Sequence, residues 1–120
     1  SYDQIFDNRI INICKYPPIN CHAGKLPKYR GRNVINWAII NGEKEIGITV
    51  HFIDKKIDTG NIILQKAVKI SENDDYNSIL KKCYFECPKL LIRSLNKFLM
   101  NKDVKGIPQS KFGKGFYCKK

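Results

Sequence analysis

The chain has 120 residues, 42% of them apolar, which is enough for one small domain around a single core. No apolar run reaches the ~18 residues that a membrane-crossing helix needs, and Ser1-Tyr2-Asp3-Gln4 lacks the basic flank and apolar core of a secretory signal, so a cytoplasmic protein with no membrane partner is expected. The net charge of +11 attracts polyanions and small anions, but the lysines are scattered rather than gathered, so charge alone does not define a nucleic-acid surface. Cys14, Cys21, Cys83, Cys87 and Cys118 form no CxxC pair and are odd in number, which speaks against a disulfide framework. Cys83 and Cys87 lie four apart with no His beside them, so no zinc site is expected there.

In chain order, residues 2–13 are too short and mixed to assign. Pro17-Pro18 punctuates the chain before Ile19-Asn20-Cys21-His22, which reads as a short strand end. Residues 23–31 hold Gly24, Pro27 and Gly31 and read as a loop. Val34, Ile35, Trp37, Ala38 and Ile39 fall at helical spacing, closed by Asn41-Gly42. Glu45 to Ile53 alternates and is β-branched, as a strand requires, and Ile62 to Ile70 forms a second strand after the turn 54–60. Asp74 or Asp75 can cap a long helix reaching about Asn101, with Ile79, Leu80, Cys83, Cys87, Leu90, Leu91 and Phe98 on one face and Pro88 inside it.

The order strand, helix, strand, strand, helix fits the second half of an α/β domain with an incomplete sheet. The chain opens on Ser and ends in a Gly-rich run, so both ends read as cut, and partner strands are expected before Ser1. Residues 1–101 read as the folded part and residues 102–120 as a basic Gly-rich linker.

Asn20, His22, His51 and Asp58 carry the chemistry. Asn20 and His22 lie two apart on a strand, so both face the same side, while Cys21 faces the core. A strand end and a neighbouring turn can bring His51 and Asp58 to them, where α/β sheets place their sites. Spacing alone leaves two alternatives open: ordinary structural histidines, or a metal held by His22, His51 and Asp58.

Three motifs decide between these. Asn20-Cys21-His22, with Leu26-Pro27-Lys28-Tyr29-Arg30-Gly31 after it, resembles the N-x-H…LP-x-[YW]-RG signature of folate-dependent formyltransferases. Gly47-Ile48-Thr49-Val50-His51 resembles that family's TG-x-T-x-H strand, with Ile46 where the family has Thr. Asp58-Thr59-Gly60, followed by Ile62 and Gln65, resembles its D-[TA]-G-x-I…Q element. The three occur in order and at family spacing.

The resemblance implies the later half of a Rossmann-like formyltransferase domain, a 10-formyltetrahydrofolate donor, an amine acceptor and no metal. It implies that Asn20 and His22 stabilise charge on the formyl oxygen, that His22 supplies a proton to the leaving nitrogen, and that Asp58 takes the amine proton with His51 in support. Asp58, if close, is expected to raise the pKa of His22. The backbone of Asp54, Lys55, Lys56, Ile57 and Asp58 resembles a pterin-pairing loop, and Arg32 a folate contact.

Gly31-Arg32-Asn33-Val34-Ile35-Asn36-Trp37 is similar to the GR-x-x-x-NW segment of enzymes acting on nucleotide-linked amino sugars, and residues 113–120 to their G-x-YYP[RK] run. A nucleotide-linked amino sugar is therefore the first acceptor and methionyl-tRNA the second. A homodimer or a missing N-terminal half is the expected partner. A non-catalytic basic module is the alternative of another class.

Overall fold

A computed structural model describes residues 7–101 and 103–119, apart from the side chain of Asn8. Residues 1–6, Lys102 and Lys120 lie outside the described residues, and with them the reading of the N-terminal leader and part of the unassigned segment.

A short helix α1 (Asn8–Ile13) starts at Asp7, whose side chain accepts from the backbone N–H of Arg9 at 2.8 Å. Pro17 and Pro18 come next, Pro18 O accepting from the Ile53 N–H at 2.8 Å, and β1 (Ile19–His22) follows. Next come β2 (Arg30–Gly31), α2 (Val34–Ile40), β3 (Glu45–Phe52), β4 (Ile62–Lys69) and α3 (Tyr76–Met100). A 3-10 turn (Gln109–Phe112) and β5 (Tyr117–Cys118) close the chain.

The main sheet has the order β1-β3-β4, and both pairings are antiparallel. Asn20 lies opposite His51 and His22 opposite Thr49. β3 is covered on both sides. Ile46, Ile48 and Val50 enter a core with Val34, Ile35, Ala38, Ile79, Cys83 and Leu90. Gly47, Thr49 and His51, on the other side, are buried beneath the loop after β1.

The long helix forms for the reason its sequence states. Asp75 accepts from Ser78 N–H at 2.8 Å while Ser78 Oγ accepts from Asp75 N–H at 3.0 Å, a reciprocal cap that satisfies two end donors. All seven positions of the expected apolar face lie in the core or against it, Phe98 meeting Phe52 edge-on at 5.9 Å.

The C-terminal stretch corrects the sequence reading. Residues 103–119, expected to be a linker, pack back on the domain. β5 pairs in parallel with β2, so Arg30-Gly31, read as loop, is also a strand. Ile107 and Ile62 exchange backbone hydrogen bonds at 2.7 and 2.9 Å, and Gln109 and Cys118 are buried. Two-residue strands have no periodicity to read; they exist because partners distant in sequence supply the pairing.

Candidate active site

Asp58 is the centre of the polar cluster. It ends the turn after β3 at φ 52°, a left-handed conformation that costs an L-residue about 1–2 kcal/mol and persists where the surroundings over-determine it. Its Oδ2 accepts from the Gly31 N–H at 2.9 Å and lies 3.6 Å from His22 Nδ1. Its Oδ1 lies 3.5 Å from His51 Nε2. His51 Nε2 is in turn 3.3 Å from Asn20 Nδ2. The four residues singled out by the sequence therefore meet. A register shift between β3 and β4 at Val50/His51 helps to aim His51 toward the turn.

The far nitrogens of both rings are committed. His22 Nε2–H donates to Tyr29 O at 2.7 Å, and His51 Nδ1–H donates to Phe52 O at 2.7 Å. These bonds fix the rings and leave His22 Nδ1 and His51 Nε2 facing Asp58. Among the described residues no group of His, Cys, Asp and Glu is placed to hold a metal ion.

Burial pushes the pKa of His22 below the usual histidine value, outweighing the opposing pull of the Asp58 charge. The sequence-based expectation had the direction of the Asp58 pull right but not the net shift. It counted the carboxylate neighbour but not the loss of water around a ring only 9% exposed. Burial also works against an ionised Asp58, but the contacts with His51 and His22 and the Gly31 N–H outweigh it, so its carboxyl titrates below the usual range. Near neutral pH the resting cluster holds an anionic Asp58 beside a neutral His22.

The loop over His22 is anchored by residues to which sequence reading gave no role. Thr49 Oγ donates to Gly24 O at 2.7 Å and accepts from Gln65 Nε2 at 2.8 Å and from Leu26 N–H at 3.4 Å. Gln65 Nε2 also reaches Leu26 O at 3.0 Å. Thr49 and Gln65 both sit inside the quoted motifs, so the signal was present without a mechanism. Gly24 must lack a side chain, because a Cβ there would lie 2.4 Å from His22 Nε2. Replacing the fully buried Thr49 with Val should remove the hydroxyl shared by Gly24 O, the Leu26 N–H and Gln65 Nε2, leaving the Leu26 N–H its 3.1 Å bond to Gly24 O, at a cost of about 0.5–1.5 kcal/mol. Urea unfolding should show this as a lower midpoint at unchanged slope.

The expected folate contacts lie at the edge of the cluster. Asp54 Oδ1 accepts from Lys56 N–H at 3.1 Å and from Thr59 Oγ at 2.6 Å, which shapes the turn and leaves Lys55, Lys56 and Ile57 exposed. Arg32 is exposed, one residue beyond the Gly31 amide that binds Asp58, and its own N–H donates to Cys118 O. Trp37 turns out to be a tie to the C-terminal stretch, its indole N–H donating to Lys119 O at 2.9 Å. Two cavities, of about 490 and 290 Å³, are lined by other residues, none of them Asn20, His22, His51 or Asp58. No helix among the described residues is long and apolar enough to cross a membrane.

Comparison with known proteins identifies the family. The sequence pattern of the family described as formyl transferase matches residues 1–95. The methionyl-tRNA formyltransferase of Caldanaerobacter subterraneus subsp. tengcongensis is 42% identical over 109 residues, covering 91% of this chain and 34% of its own length. The chain thus spans about a third of the length of that curated relative. Among solved structures, WlaRD, a sugar 3N-formyl transferase, superposes with a TM-score of 0.82 at 29% identity, over 97% of this chain and 42% of its own. The formyltransferase PseJ from Anoxybacillus kamchatkensis, solved with tetrahydrofolate and a UDP-linked formamido sugar, gives 0.81 at 29% identity, over 97% of this chain and 60% of its own. The motifs, the cluster they assemble and these likenesses converge, and this chain belongs to the formyl transferase family.

Proposed function

We propose that this chain carries the reacting centre of an enzyme that moves a formyl group from 10-formyltetrahydrofolate to a primary amine. The supporting observation is the convergence of His22 and His51 on the anionic Asp58, with Asn20 against His51. The rim suits such a donor. The exposed Lys55, Lys56 and Arg32 offer positive charge to an acidic ligand, and the half-exposed Ile57 offers apolar surface to a flat ring.

When bound, the folate supplies an activated one-carbon unit on a nitrogen that departs once the formyl group is taken. Asp58 receives the proton of the incoming amine, directly or through one water. His22 Nδ1, neutral and beside Asp58, is the next station. The imidazolium formed there is balanced by the carboxylate, and its proton passes to the departing nitrogen. The amine loses one proton and the leaving group gains one, so none is taken up overall. Asn20 spends one amide hydrogen on His51 and has a second for the formyl oxygen, a type of donor worth about 2.7–4 kcal/mol. His51 positions Asn20 and Asp58.

For the acceptor, the resemblance of residues 31–37 and 113–120 to sugar enzymes favours a nucleotide-linked amino sugar. Trp37's structural bond to Lys119 weakens that argument, and the 42% identity to a methionyl-tRNA enzyme, together with the +11 charge, supports methionyl-tRNA as the second reading. The test places this chain in two hosts, replacing the aligned segment of the Caldanaerobacter enzyme in one and of PseJ in the other. Tetrahydrofolate release on addition of the host's own amine is expected in at least one. The host keeping the higher kcat/KM identifies the acceptor class. No transfer in either host, together with salt-sensitive RNA binding by the chain, would replace the enzyme reading with a basic binding module.

A further inference from the structure

Gln109 lies in the stretch that the sequence presents as a linker, outside every motif, yet only 4% of it is exposed. Its amide nitrogen donates to Asp58 O and to Gly60 O, both at 2.8 Å. Its amide oxygen accepts from Arg30 Nε at 3.0 Å and from Arg30 Nη2 at 2.6 Å. All four bonds are used, so the orientation of the amide is determined: reversing it would set its oxygen against two carbonyls and its NH2 against a guanidinium.

These partners flank the reacting carboxylate. Asp58, at positive φ, and Gly60 belong to the same turn, with Gly60 pressed against β3 so closely that a Cβ would lie 1.8 Å from Phe52 O. Arg30 precedes Gly31, whose N–H holds Asp58 Oδ2 at 2.9 Å. One side chain therefore ties the backbone of Asp58 to the strand that grips its carboxylate. Ile107 and the β2–β5 pair fasten the segment on either side.

We propose that Gln109 is a positioning residue for the formyl-transfer centre, holding Asp58 in its left-handed conformation so that the carboxylate faces His22 and His51. The proposal rests on the formyl-transfer reading and extends it to a residue that lies outside the quoted motifs.

The test uses the active host carrying this chain, with Gln109→Glu, Gln109→Met and Asp58→Asn. Gln109→Glu keeps an acceptor for Arg30 and loses the donors to Asp58 and Gly60. Gln109→Met fills the volume and loses all four bonds. Because Gln109→Met can fail to fold, Gln109→Glu decides, after its thermal transition is shown to remain cooperative. The expected result is a fall in kcat of about 10–100-fold, as for a reacting group displaced by about 1 Å, with both KM values within about twofold. The Asp58 carboxyl resonance should also titrate at higher pH than in the parent, because the carboxylate has drawn away from the donors that favour its ionised form. A merely structural role would leave that titration in place, so lost turnover with an unmoved Asp58 midpoint overturns the proposal, as does unchanged kcat. If Asp58→Asn is itself fully active, the formyl-transfer reading fails. If Asp58→Asn is inactive while both Gln109 variants turn over normally, the positioning role alone fails.

Discussion

Asp58→Asn, in a host that completes the enzyme, is expected to lower kcat by about 10²–10⁴-fold, the range for loss of a positioned proton acceptor. The amide has nearly the same shape, so the turn, the Gly31 N–H contact and the Gln109 bonds to Asp58 O and Gly60 O have every reason to persist. What disappears is the charge. The substituted group cannot take the amine proton, and it cannot balance an imidazolium on His22 3.6 Å away. KM for folate should move little, since in the proposed mechanism Asp58 acts on the amine. Steady-state kinetics at saturating substrate separates these effects, and near-parental kcat would remove Asp58 from the mechanism.

His22→Ala is expected to cost a similar factor in kcat and, in addition, to change how stability depends on pH. Burial depresses the folded-state pKa of His22 below the ordinary value of 6.5. The unfolded chain therefore binds more protons than the folded one between those two values, and stability rises with pH across that window. The contribution is complete above about pH 6.5 and is lost as pH falls toward the folded-state pKa. Asp58 acts in the same direction at lower pH. Its carboxyl titrates below 3.8 when folded, so its stabilisation is present above that value and lost as the carboxylate is protonated. Urea unfolding from pH 8 to pH 5 should show the parent weakening on acidification and the His22 variant weakening less. Equal slopes would mean that His22 is not held neutral by burial.

Much of this was legible in the sequence, for identifiable reasons. β3, β4 and α3 carry local signals: β-branched alternation, an Asp-Asp start with Ser three residues on, and an apolar face at helical spacing. Asn20, His22, His51 and Asp58 were legible as candidates because strand spacing puts the first two on one face and the motifs tie in the others. Three things were not legible. β2 and β5 exist only through each other, and no two-residue window announces a strand. Gln109 is one amide among polar neighbours, and its importance lies in partners 51 and 79 positions away. The protonation state of His22 depends on how much water the fold removes, which no pairing of residue types reveals.

The bond between Arg30 and Gln109 spans 79 positions. Contacts so remote along the polymer are costly to close and form late, after local helices and hairpins. In synthesis from the N-terminus, Asn20, His22, His51 and Asp58 are all made before Gln109, so the Arg30–Gln109 clasp is the later of the two to become available. A chain truncated ahead of Gln109 would keep Asn20, His22, His51 and Asp58 but lose the four bonds that tie Arg30 to the Asp58 turn.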